Sequence, residues 1–170
     1  MADEGAPDFD TWVLQRGAAL LRFAYLVTRD HSRAEEAVQD ALVAAYSRWS
    51  RILQHGDPEA YVRRSIVNAD ISRWRKFLRR ETPVGDAAVF DSAGVDHAGS
   101  LAEQDAVWDL CASLPTRQRA AVVLRYYEGL PDADIAEILG CTAGTVRSQI
   151  HRALASLRTT LSVTEEVTHR

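Results

Sequence analysis

Between Thr142 and Thr160 the chain carries Arg147, Arg152 and Arg158, with Thr145, Ser148, Gln149 and His151 among them and no Asp or Glu. These are side chains suited to nucleic-acid edges. A guanidinium fork matches guanine, a carboxamide matches adenine, and hydroxyls reach phosphate oxygens or either base type. A carboxylate on the same face would be pressed toward phosphates, so its absence carries information. Read this way, the chemistry is recognition rather than bond making. An ordinary helical hairpin with a solvated basic face would have the same composition, and the segment alone does not separate the two.

A second basic stripe runs from Tyr61 to Arg80, where Arg63, Arg64, Arg73, Arg75, Lys76, Arg79 and Arg80 stand against the single acid Asp70. The chain as a whole has a formal net charge of −4. Taken alone, that value argues mildly against a nucleic-acid partner, but the distribution reverses the argument. The acids gather in the first ten residues and between Glu81 and Asp105. An enzyme is not indicated: the chain shows no glycine-rich phosphate loop, paired catalytic carboxylates or nucleophile–base set. The five histidines (His31, His55, His97, His151 and His169) are scattered, and Cys111 and Cys141 have no histidine at ligand spacing. No metal or other cofactor is therefore expected, and both cysteines are read as reduced and structural. No apolar run approaches the roughly 20 residues of a membrane span, and the acidic start "MADEGAPDFD" lacks the order of a signal peptide. A cytoplasmic location is expected.

The elements that must position these side chains are helical. Phe9, Trp12, Val13, Leu20, Phe23, Ala24 and Val27 share one helix face, and Ala34, Val38, Ala41, Leu42, Ala45 and Trp49 predict a second helix over 32–49. "HGDP" at 55–58 reads as a loop. A long helix then starts at Asp57 or Pro58 and reaches about Arg80, burying Tyr61, Val62, Ser65, Ile66, Ala69 and Trp74 or Phe77. From Thr82 the composition shifts to "TPVGDAAVFDSAGVDHAGS", without a period, which reads as a linker. Periodicity returns at Leu101. Leu101, Val107 or Trp108, Cys111 and Leu114 point inward, Pro115 opens the next helix and Gly129 closes it. Pro131 opens a short helix burying Ile135, Ala136 and Leu139, then Gly140 turns the chain and Thr142 caps the last helix. That helix buries Val146, Ile150, Ala153, Leu154, Leu157 and Leu161, within about 100° of arc at the helical repeat. Its outer face centres on Ser148 and Arg152. This pair has the anatomy of a helix-turn-helix, whose second helix enters the major groove. The fold class expected is all-α: two small helical domains, 7–80 and 101–162, joined by a flexible acidic linker over 81–100.

The segment "LPTRQRAAVVLRYYEGLPDADIAEILGCTAGTVRSQIHRALASLR" closely resembles the C-terminal promoter-reading domain of bacterial extracytoplasmic-function sigma factors. "AEEAVQDALVAAYSRW" is similar to the family's helix for core RNA polymerase, and "PEAYVRRSIVNADISRWRKFLRRE" to its minus-10 helix, in the manner of the SigE-like actinobacterial branch. The resemblance implies a non-enzymatic subunit that docks on the clamp and flap regions of core RNA polymerase and directs it to promoter DNA. It implies polymerase contacts at Glu35, Glu36, Gln39 and Asp40. It implies minus-10 contacts at Asn68, Arg73, Trp74, Arg75 and Lys76, with a flipped base held by the loop at about 53–58. Asn68 could equally cap or brace that loop, Trp74 falls near the buried stripe, and Arg63 and Arg64 could be solvated. Thr145, Arg147, Ser148, Gln149, His151 and Arg152 would read the minus-35 element. Family members often carry Lys where Arg147 stands, and Arg or Lys where Gln149 stands. Asp86, Asp91 and Asp96 keep the tether soluble or mimic nucleic acid. The family commonly has an anti-sigma factor clamped between the two domains. The competing reading is a stand-alone helix-turn-helix regulator whose N-terminal half is a sensor or dimerisation bundle.

Overall fold

The computed structural model describes residues 7–81 and 102–168, without the side chains of 74, 75, 77–81, 102–105 and 165–168. Among the described residues the secondary structure is helical, with no strand. The acidic segment expected as a linker, with Asp86, Asp91 and Asp96, lies outside them, as do Leu101 and the side chains of Trp74 and Phe77. The chain divides into two compact units, Met1–Phe77 and Leu78–Arg170.

In the first unit, α1 (Phe9–Thr28) starts at Asp8, whose carboxylate accepts the Thr11 N–H at 3.0 Å and the Thr11 hydroxyl at 2.8 Å. The Thr11 N–H, then its hydroxyl, hold the Asp8 carboxyl below its ordinary value. Arg29 ends the helix in a left-handed conformation (φ 56°), and Asp30 caps α2 (His31–Tyr46) by accepting the Arg33 N–H at 2.8 Å. Leu20, Phe23, Ala24 and Val27 of α1 are buried, as are Ala34, Ala37, Val38, Ala41 and Ala45 of α2. The alanine-rich face lets the two helices approach closely, so the large side chains come mainly from α1.

The second helix does not reach Trp49 as expected. The Ser47 hydroxyl donates to the Ala44 carbonyl at 3.0 Å, and the Arg48 N–H takes Ala45 O at 3.0 Å, tightening the last turn. Trp49 instead begins α3 (Trp49–His55), with its ring 5.2 Å from both Trp12 and Phe9 and its Nε1 donating to Pro7 O at 3.3 Å. The expected loop at 53–58 is correspondingly shorter. Leu53, Gln54 and His55 are helical, and only Gly56 and Asp57 separate α3 from α4 (Pro58–Glu81). Asp57 starts α4 by accepting the Glu59 N–H at 3.0 Å, while Pro58 occupies the first helical position, where a missing N–H costs little. Val62, Ile66, Val67 and Asp70 are buried on α4; Tyr61, Ser65 and Ala69 are half-buried.

In the second unit, α5 (Ala102–Cys111) is followed by α6 (Thr116–Val122). The helix expected up to Gly129 widens into one π-helical turn over Val123–Tyr127, with the Glu128 N–H on Val123 O at 3.1 Å. Gly129 (φ 68°) then reverses the chain. Trp108 rather than Val107 turns inward and, like Leu157, packs against the cluster of Cys111, Leu114, Val122 and Ala153. Neither cysteine is in a disulfide; Cys111 is buried and Cys141 half-buried. Arg119 is buried and donates to Ala112 O at 3.0 Å and Leu114 O at 3.3 Å, satisfying carbonyls in the turn between α5 and α6. The last two helices are α7 (Asp132–Leu139) and α8 (Ala143–Thr168). Val146, Ile150 and Ala153 of α8 are buried, but Leu154 and Leu157 only partly, and Leu161 is 46% exposed. The helix outruns the neighbours it packs against, so its apolar stripe continues past the core.

Candidate nucleic-acid interfaces

The turn between α7 and α8 is built from hydrogen bonds local to it. Gly140 sits at φ 63°, its N–H on Glu137 O at 3.3 Å, while the Cys141 N–H reaches Ala136 O at 3.0 Å. This double closure requires a left-handed residue, for which glycine has no Cβ penalty. Arg117 of α6 adds a donor to Leu139 O at 3.4 Å. Thr142 then opens α8: its Oγ1 accepts the Thr145 N–H at 3.1 Å and lies 3.0 Å from the Thr145 hydroxyl. Thr145 is therefore part of the cap as well as of the outer surface.

Thr145, Arg147, Ser148, His151 and Arg152 are exposed on α8, and Gln149 is half-buried on its flank. The buried positions Val146, Ile150 and Ala153 face the opposite way, so the first turns of one helix present the expected set, with no carboxylate between Thr142 and Thr160. Arg147 has company from elsewhere: its Nη1 lies 3.5 Å from Asp132 Oδ2, and Asp132 also forms an ion pair with Arg125. Asp132 and Arg125 were not legible as site residues, because their partner stands 15 or more positions along the chain and periodicity carries no such information.

On α4, Asn68, Arg73 and Lys76 are exposed; the side chains of Trp74 and Arg75 lie outside the described residues. Asn68 stands ten residues beyond Pro58, about 15 Å along the axis, too far to brace the turn before the helix. Arg63 is not a solvated cation: it pairs with Glu59 at 2.6 Å, and its guanidinium lies 5.9 Å from the centre of the Phe23 ring. Glu59 also pairs with Arg16. Arg64 is exposed. Asp70, the lone acid of the basic stripe, is 1% exposed and paired with Arg33 of α2. Its charge is answered inside the unit, so it does not dilute the cationic surface of α4.

Glu35, Glu36, Gln39 and Asp40 are all exposed on α2. At helical spacing the same stripe continues through Val43 and Tyr46, which are 72% and 67% exposed. The sequence reading did not single out these two; Tyr46 packs edge-on against Phe9 at 5.1 Å but keeps most of its surface open, and exposed apolar side chains beside a polar stripe are a signal in themselves. Glu36 pairs with Arg73 of α4, so one residue expected to face polymerase holds one expected to face DNA. Among the described residues no three His, Cys, Asp or Glu side chains converge as a metal site, and no helix is long and apolar enough to cross a membrane.

A helix-turn-helix unit joined to a second helical unit places the chain among DNA-binding proteins of transcription. Two family models match it in order, Sigma-70 region 2 over residues 12–81 and Sigma-70 region 4 over 104–157. The RNA polymerase sigma-E factor of Streptomyces avermitilis is 37% identical over 161 residues, covering 93% of this chain and 87% of that protein. The ECF RNA polymerase sigma factor SigM of Mycobacterium tuberculosis is 33% identical over 150 residues, covering 88% and 74%. Among solved structures, the sigma factor RpoE of Bartonella quintana, in complex with the anti-sigma factor NepR, superimposes with a TM-score of 0.70 at 28% identity, covering 93% of this chain and 99% of that one. The chain belongs to the sigma-70 family, as an RNA polymerase sigma factor of the extracytoplasmic-function type. Such a subunit binds core RNA polymerase and directs promoter-specific transcription initiation. The match to region 2 displaces the reading of the N-terminal half as a sensor or dimerisation bundle.

Proposed function

We propose a division of labour along the chain. Residues 7–80 dock on the polymerase clamp through Glu35, Glu36, Gln39 and Asp40 of α2, and engage the minus-10 element with Asn68, Arg73, Trp74, Arg75 and Lys76 of α4. Residues 101–162 read the minus-35 element with Thr145, Arg147, Ser148, Gln149, His151 and Arg152, and meet the polymerase flap. Residues 81–100 tether the two. The observation that carries the reading is the outer face of α8 from Thr145 to Arg152: exposed donors, no carboxylate among them, mounted on a capped helix-turn-helix.

The protein itself performs no bond chemistry; RNA synthesis belongs to the polymerase it joins. It works in the cytoplasm, where polymerase is. The Bartonella relative was solved with an anti-sigma factor, and restraint by a protein of that kind is the regulatory part of the proposal. The overall negative charge supports weak binding to free DNA, with promoter contact following assembly on polymerase.

Gel filtration of the protein with bacterial core RNA polymerase tests the first step. Co-elution that a housekeeping sigma factor displaces is the expected result. A protein that stays apart from polymerase and binds duplex DNA as a dimer would overturn the proposal. Selection of promoter duplexes by the assembled enzyme then defines the two elements.

A further inference from the structure

The Asp132 carboxylate stands between two arginines from different segments. Arg125 comes from the π-helical turn after α6, Asp132 is the first residue of α7, and Arg147 lies in the second turn of α8. Arg125 pairs with Oδ1, and Arg147 Nη1 lies 3.5 Å from Oδ2. The Asp132 side chain is 25% exposed and that of Arg147 66%, so the pair straddles the edge of the unit with the arginine outermost. The other terminal nitrogen of Arg147 stays close to its own helix: a Cβ added at Gly144 would come within 3.9 Å of Nη2. The guanidinium thus has a carboxylate beside Nη1 and its own helix near Nη2.

A free arginine loses rotamer entropy when it binds, and one already oriented loses less. A guanidinium has five N–H donors in a rigid fork. A carboxylate that takes one edge leaves the others for a base, and it restricts the angle from which that base is met. The same carboxylate repels phosphates. Asp132 should therefore lower affinity for DNA in general while sharpening the choice among sequences.

We propose that Asp132 is a positioning residue for base readout: buttressed by Arg125, it holds Arg147 in the orientation that discriminates one base pair of the upstream promoter element. The proposal rests on the reading of α8 as the DNA-contacting helix. Arg125 fixes which way the carboxylate turns, and Arg147 alone touches the base.

The test uses the full-length protein assembled with core RNA polymerase and a pool of promoter duplexes randomised across the upstream element. In Asp132→Ala, discrimination at one base pair falls about tenfold, the scale of one good bidentate contact, while binding of non-promoter duplex rises. Arg147→Ala loses discrimination at the same pair, the double variant loses no more than Arg147→Ala, and Asp132→Glu retains discrimination. Arg125→Gln, which leaves the first turn of α7 unchanged, weakens the same pair and keeps the test open if Asp132→Ala loosens that helix. An equal loss at every position would mark Asp132 as merely structural and overturn the proposal, as would unchanged discrimination. Both outcomes leave the α8 reading standing if Arg147→Ala alone alters the preference. An Arg147→Ala variant with wild-type preferences at every position would retire that reading for Arg147, and this proposal with it.

Discussion

The basic helices of the two units treat their arginines differently. In the first unit most charges around α4 are tied across helices, Arg33 to buried Asp70, Arg73 to Glu36 and Arg16 to Glu59, and Arg63 joins Glu59 along α4 itself. In the second unit the structural arginines stand on α6, where Arg119 closes the turn after α5 and Arg117 the end of α7. The outer face of α8 keeps Arg152 without an ion-pair partner among the described residues, and Arg147 with a single one at 3.5 Å. A helix whose cations also hold its unit together has less freedom to present them to a ligand. A helix whose cations are spared that duty can be rewritten for a new sequence at little cost in stability. On the proposed assignment, unit two separates the arginines that fold from the arginines that read, whereas unit one uses α4 for both.

The largest test of this contrast is in the cores. Phe23 is fully buried in the first unit, so Phe23→Ala should lower that unit's stability by about 3–5 kcal/mol. Denaturant unfolding followed separately in each unit should show the second keeping its midpoint, and a common shift would break the comparison. Next comes Arg119→Met, which leaves the Ala112 and Leu114 carbonyls without their donor and should cost about 1–3 kcal/mol. Base preferences in promoter selection should stay as they were; an altered preference would mean that folding and reading arginines are not separate.

Arg152→Ala is the mirror image. Promoter-specific transcription should fall about tenfold, with the melting temperature and polymerase competition unchanged. Normal promoter use would remove Arg152 from the contact set. Reversing the charge at exposed Asp40, as Asp40→Arg, should weaken competition for core polymerase by about tenfold or less, a rim-charge effect, and leave minus-35 selection alone. Full competitive strength would take Asp40 out of the docking face.

The smallest effect concerns pH. The Asp8 carboxyl titrates below its ordinary value because Thr11 donates to its charged form. Its stabilising contribution is present above the ordinary carboxylate pKa and lost as pH falls through the lowered one. Asp8→Ala should therefore flatten the acid side of the first unit's stability profile and leave the second unit's profile unchanged. A parent-like acid limb would show that the cap contributes nothing measurable.

Much of the fold was legible because its signals are local. The faces of α1 and α7 follow from apolar spacing, and the helix ends at Gly140 and Thr142 follow from which residues accept a left-handed backbone or offer a hydroxyl to a free N–H. The donor-rich face of α8 is a property of one helix and needs no neighbour to be seen. The break at Ser47 was less accessible. "AAYSRW" continues the helical period, and the turn is settled by an aromatic cluster whose other members, Phe9 and Trp12, lie about forty residues earlier.

By itself, then, the sequence determined the all-helical class, the faces of α1 and α7, the turn at Gly140 and the cap at Thr142, and the family to which the chain belongs. Only the tertiary structure decided what each charge does. It buried Asp70 against Arg33, 37 residues away, spent Arg119 on the carbonyls of the turn after α5, paired Glu36 with Arg73, and set Asp132 beside Arg147. Periodicity encodes which side of a helix faces inward, but an ion pair depends on which other helix arrives there, and that is set by packing between segments far apart in the chain.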